Sequence, residues 1–128
     1  MLGSFLAGVV IVSLLAIGCG GIVVPHIGAV QYGIVLDDPR SLAFLRAMAV
    51  RDLVLGALLG LLALHATRET LGWGMALCVL VAGLDFVVVT ADRRFARSDA
   101  TSRAAAPVLH AAGAAALVLT AVALIAGW

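Results

Sequence analysis

Four ionisable residues interrupt stretches that are otherwise apolar: Arg46, Arg51 and Asp52 in the run from Asp38 to about Ala66, and Asp85 in the run from Leu71 to about Thr90. Such a residue at the centre of a membrane helix costs about 2.5–3.5 kcal/mol on translocon-derived scales, so each needs a partner or water. A carboxylic acid in an apolar site can stay protonated near neutral pH and act as a proton donor, whereas an adjacent arginine favours its ionised form. Asp85 and Asp52 are therefore the acid/base candidates, with Arg46 and Arg51 orienting or polarising a substrate oxygen. His110, in the last apolar run, is a further proton carrier or else a hydrogen-bonded packing histidine. His26, Gln31 and Tyr32, in a connection too apolar for a solvated linker, are the candidate substrate-binding residues.

The elements that must position these groups follow from composition. Of 128 residues 64% are hydrophobic and only 12% charged, against about 25% charged in soluble domains, and the mean hydropathy is +1.21. Apolar runs of about 20 residues, each enough to cross a bilayer, fill most of the chain. The fold class is all-α, an integral membrane bundle of four transmembrane helices forming a single domain over residues 1–128.

The first span runs from about Leu2 to Val24 and closes at Pro25, which cannot continue the helical ladder without a kink. No basic residue precedes it and its apolar run exceeds the 7–15 residues of a signal-peptide core, so it reads as a retained helix. The connection from Pro25 to Asp38 reads as a re-entrant or interfacial segment over one mouth of the bundle. Asp38-Pro39 is a helix start. The short polar turn 67–70 makes the second and third spans antiparallel neighbours. A hydrophilic stretch over 92–103 leads to a fourth span, Ala104 to Trp128.

All eight basic residues are arginines. Arg40, Arg93, Arg94, Arg97 and Arg103 share one face of the membrane against Arg68 on the other, which places the first and third connections in the cytoplasm and both termini outside, in a bacterial inner or plasma membrane. Membrane topology accounts for the arginine-rich connection without nucleic-acid binding.

At 1.5 Å per residue Arg46 lies about 12 Å from the Asp38 cap and Asp85 about 12 Å from Arg93, so the two are expected to be neighbours; Arg51 and Asp52 lie about 20 Å in, and His110 about 10 Å from Arg103. At about 100° per residue Arg46 shares a small-residue face with Ala49, Gly56 and Gly60, Asp52 flanks it, and Arg51 points the other way, so that either the second span is central in the fold or Arg51 reaches a polar connection or a neighbouring protomer of a homo-oligomer. Gly56-x-x-x-Gly60 fits close helix packing. Asp85 shares a stripe with Gly74, Cys78, Val81 and Ala82 and looks inward.

Cys19 and Cys78 stand in apolar segments as packing residues rather than as a disulfide or zinc pair. Nucleotide, metalloprotease and dinucleotide motifs are absent from the sequence. With three histidines, of which only His26 and His110 are placed to meet, neither a metal nor another cofactor is expected.

Tyr32-Gly33, Arg46, the run Val50-Arg51-Asp52-Leu53-Val54-Leu55-Gly56 and Gly83-Leu84-Asp85 together resemble a family of small four-helix bacterial and fungal membrane proteins grouped as a domain of unknown function. The resemblance covers most of the chain and rests chiefly on Arg-Asp-Leu-x-x-Gly. It implies a four-helix fold with a polar membrane site and brings no reaction with it. By analogy, integral-membrane terpene cyclases and sterol isomerases place acidic residues inside helical bundles in a similar way.

The leading functional expectation is a membrane-embedded enzyme performing acid/base isomerisation or cyclisation on a lipophilic small molecule drawn from the bilayer. A proton-coupled transporter or channel subunit, and an accessory subunit whose charges only fix helix register, are the competing readings.

Overall fold

The computed structural model describes residues 1–32, 34–91 and 100–128, with side chains left out at 89–90 and 100–106. Five helices follow one another: α1 (Leu2–Val23), α2 (Pro25–Tyr32), α3 (Pro39–His65), α4 (Arg68–Ala91) and α5 (Ala100–Ile125). No strand occurs among the described residues. Four stretches are long and apolar enough to cross a membrane, Leu2–Val23, Pro39–His65, Arg68–Val88 and Pro107–Ile125. At 1.5 Å per residue they measure about 28–40 Å, against a hydrocarbon core of about 30 Å. The protein is an all-helical integral membrane bundle whose outward surface carries Val54, Leu58, Leu77, Leu80 and Leu84.

Local chemistry sets the helix starts and stops. The Asp38 carboxylate accepts from Ser41 N at 2.7 Å while Ser41 Oγ accepts from Asp38 N at 3.4 Å, and Pro39 occupies the first turn. This reciprocal box satisfies amide hydrogens that a helix start otherwise leaves without acceptors. Pro25 ends α1 as expected and also begins α2, an eight-residue helix with Gly28, Ala29 and Tyr32 buried. Residues 100–103, read from sequence as part of the hydrophilic connection, form the first turn of α5. The rest of that connection, with Arg93, Arg94 and Arg97, lies outside the described residues, as does Gly33.

The spans form a ring in which α1 packs chiefly on α3 and α4 chiefly on α5, while α1 meets α5 and α3 meets α4 over smaller surfaces. Small residues permit the α1–α3 approach. A Cβ on Gly18 would stand 2.7 Å from Ala49 O and 2.8 Å from Leu53 N, one on Gly21 would stand 2.8 Å from Ala49 Cβ, and one on Gly56 would stand 3.0 Å from the Leu15 side chain. Gly56 and Gly60 of the Gly-x-x-x-Gly pair thus both face α1, Gly60 lying toward Ile11.

The two ends of the ring differ. At the end of the termini, Gly3 N donates to Trp128 O at 3.1 Å and the Arg68 guanidinium donates to the same carbonyl, while Ala66 and Thr67 join α3 to α4. Leu59, Met75 and Leu124 pack in the interior there. At the opposite end α2 lies across α1, α3 and α5, with Tyr32, Ala29 and Leu45 packed together. A space remains under α2.

Replacing Gly18 by alanine should therefore cost about 1–3 kcal/mol, the range for overpacking a tight contact. Gly8→Ala, at a position with nothing within 4 Å of a Cβ, should be neutral or slightly stabilising. Thermal melts of the two variants in one detergent check the difference.

Candidate functional site

Helix α3 brings Arg51 and Asp52 to the space beneath α2. Asp52 is 7% exposed, inward of the α1 contact, and its neighbour Arg51 turns along the same wall. Arg51 Nε and Nη2 donate to Asp52 Oδ1 at 3.1 and 2.9 Å. Arg51 Nη1 donates to Asp85 Oδ1 of α4 at 2.7 Å. From α2, Tyr32 Oη donates to Asp52 Oδ2 at 2.6 Å. Both oxygens of Asp52 are engaged, whereas Asp85 Oδ2 has no hydrogen bond among the described residues.

These groups form one wall of a cavity of about 160 Å³. Gln31, Tyr32 and His110 complete its polar lining, and Leu14, Ile17, Leu55, Val81, Leu109 and Leu117 supply apolar walls from the four spans. The His110 ring lies 6.5 Å from that of Tyr32, centre to centre, and its buried Nε2 has no hydrogen-bond partner among the described residues. Burial, reinforced by the hydrogen bond to Asp52, pushes the Tyr32 phenol well above its ordinary range, so it remains a donor. Two carboxylates face one guanidinium, which leaves the ion-paired cluster formally one negative charge in excess when all three are ionised.

The structure unites five of the expected site residues, Tyr32, Arg51, Asp52, Asp85 and His110, and places Gln31 beside them. It separates two others. The expected Arg46–Asp85 pair does not form, because Asp85 is bonded to Arg51, while Arg46 is exposed and has no hydrogen bond or ion pair among the described residues. Depth was not the fault, since a helical turn spans about 5.4 Å and an arginine reaches across it. Azimuth was: Arg46 stands about 120° round α3 from Asp52 at 100° per residue, on the far flank of the α1 contact. For the same reason Arg51 points into the cavity instead of away from the site. An exposed arginine at this depth extends its methylene stem along apolar surface and carries its charge toward the headgroups. His26 is exposed on α2 and lies outside the cavity wall.

Sequence reasoning overlooked Leu55, Gly113 and Leu117. Their signal was helical spacing, since Leu55 follows Arg51 by four residues and Gly113 and Leu117 follow His110 by three and seven. Cys78, read as a packing residue, is buried and lines the cavity. Among the described residues no three histidine, cysteine, aspartate or glutamate side chains gather as a metal site.

Fold and cluster together define a four-helix integral membrane protein whose ion-paired polar centre opens on an apolar cavity. The chain belongs to the family described as a domain of unknown function, DUF4267, which matches residues 12–124 and so includes every residue of the site. Neither the curated proteins nor the solved structures contain a significant match.

Arg51→Gln should strand two carboxylates in the membrane and lower stability by about 3–5 kcal/mol, the usual cost of removing one partner from a buried pair. Arg46→Gln should stay within about 0.5 kcal/mol, as for surface substitutions free of such contacts. Detergent melting curves of the two variants provide the comparison.

Proposed function

We propose that this protein is a membrane-embedded enzyme of the isomerase or cyclase type, which moves a proton within a lipophilic small molecule taken from the bilayer. One observation carries the reading: Asp85 is anchored through Oδ1 to Arg51, yet lines an apolar cavity with Oδ2 uncommitted among the described residues. In this reading the free oxygen of Asp85 serves as the base, and the chemistry is isomerisation rather than a cyclisation begun by an aspartic acid.

In the proposed step Asp85 Oδ2 takes a proton from a carbon next to a double bond or carbonyl. The electron pair of the broken C–H bond shifts into the conjugated system, and the same proton returns to a carbon further along it. The step is redox-neutral and needs no nucleotide. Arg51 positions Asp85, and Asp52, held by Tyr32, positions Arg51. A transport role finds less support, because the polar lining of the cavity ends at Arg51, Asp52 and Asp85, and Leu59, Met75 and Leu124, nearer the termini, belong to a buried apolar cluster. General-base catalysis of this kind contributes typically about 10²–10⁴-fold.

The test uses vesicles containing the protein and a lipophile extract of the host membrane in D2O, with mass spectrometry for deuterium at carbon. Wild-type protein should introduce deuterium into at least one lipophile and Asp85→Asn should reduce the rate by at least about 10²-fold. A destabilised Asp85→Asn protein that still exchanges at the wild-type rate would show that Asp85 is a structural counter-ion.

The proposed orientation puts the connection carrying Arg40 and that carrying Arg93, Arg94 and Arg97 in the cytoplasm of a bacterial cell, with the cavity in the cytoplasmic half and both termini outside. A reporter inserted near Ser98 should be active only as a cytoplasmic fusion, and reporters on either terminus only as external ones. A cytoplasmic C-terminal reporter in functional protein reverses the assignment.

A further inference from the structure

The polar groups of the cavity do not all behave alike. Tyr32, Asp52, Arg51 and Asp85 form one connected network. His110, which lines the same cavity, stands outside that network, and its buried Nε2 has no hydrogen-bond partner among the described residues. Buried polar atoms in folded proteins are almost always hydrogen-bonded, and an exception calls for an explanation such as strain, a catalytic role or a bound group. A neutral imidazole nitrogen accepts from a hydroxyl, or, when it carries the proton, donates to a hydroxyl or carbonyl oxygen.

The space available limits what surrounds that oxygen. The cavity volume of about 160 Å³ is close to that of an engineered cavity of about 150 Å³ that holds benzene. It suits a ring or a few carbons, less than a whole long-chain lipophile. Gly113, three residues after His110 and so on the same side of α5, supplies a way out. It lines the cavity and is exposed, and a Cβ built there meets nothing within 4 Å. The α5 wall is thus thin beside the unpartnered histidine.

We infer that the cavity seats the oxygen-bearing head of a longer membrane lipophile, its hydroxyl or carbonyl group bonded to His110 Nε2 and its chain leaving into the bilayer past Gly113. The inference deepens the isomerase reading, resting on it only for the identity of the cavity as the substrate site. Leu14, Leu55 and Leu117 pack against the carbons of the head. A phospholipid headgroup is too polar and too large for these walls.

The test is photolabelling in phosphatidylcholine vesicles with a long-chain alcohol carrying a diazirine and an alkyne, competed by dodecan-1-ol, 2-dodecanone or n-dodecane. Labelling of the α5 segment around Leu109 and Leu117 should saturate and be displaced by the alcohol or the ketone about fivefold better than by the alkane, the worth of one net hydrogen bond. His110→Phe should erase that preference, and His110→Gln, which restores a polar group, should recover part of it. Gly113→Trp, which fills the exit, should reduce labelling at least about fivefold, the factor that about 1 kcal/mol corresponds to. Melting curves accompany each variant, so that a loss through unfolding is recognised. Equal competition by n-dodecane, labelling that never saturates, or wild-type labelling of folded Gly113→Trp would each overturn the inference. Saturable, oxygen-dependent labelling by a protein that catalyses no exchange in D2O would instead remove the isomerase reading and leave the binding site standing.

Discussion

The Arg51 guanidinium is the point through which the polar half of the bundle is connected. It holds Asp52 on its own helix and Asp85 across the α3–α4 seam, and through Asp52 it reaches Tyr32 on α2. Three helices whose apolar surfaces specify little about one another are fixed there in relative height and rotation. A buried ion pair is a poor source of net stability, because desolvation offsets much of the attraction. Its value in this position is that it spends one oxygen of Asp85 on anchoring and leaves the other beside an apolar cavity.

That arrangement depends on a contact far less polar. Lipid tails are as apolar as leucine, so helices in a membrane associate through close packing. Gly18 and Gly21 on α1 and Gly56 on α3 allow the two backbones to approach, and Gly28 lets α2 settle on Gly21. Once α1 occupies the Ala49–Leu53–Gly56 side of α3, the side carrying Asp52, Leu55 and Arg51 is left to face α2 and α4. The small residues therefore rotate the charges into the cavity, and the ion pairs then secure that rotation.

The two ends of the bundle divide the work. Large aliphatic side chains and the hydrogen bonds around Trp128 tie the helices together nearer the termini, while the space under α2 holds the site. An apolar base, a polar wall with one uncommitted carboxylate oxygen, and a thin wall at Gly113 are the features on which the proposed chemistry of a membrane lipophile rests. The site draws side chains from all five helices, which is why no short motif describes it.

Some of this was legible in the residues themselves. The bilayer demands long apolar helices with internally satisfied backbones, so four spans could be counted from hydropathy, and the Asp38-Pro39 start and the Gly56–Gly60 contact face follow from rules acting within one or two turns. The polar inventory was equally legible, because a charge inside such a span must have a partner. Rotation was not. Arg46 and Arg51 lie within reach of the same layer, and which of them meets Asp85 depends on the side of α3 that α1 covers, a contact between residues about 30 positions apart. Likewise His26 and Tyr32 stand on one short helix, and only the docking of α2 on α1 and α3 turns Tyr32 inward and leaves His26 exposed. Local chemistry fixed the helices and their charges; tertiary packing alone chose which charges meet, because helical phase becomes an address only when neighbouring helices define the inside.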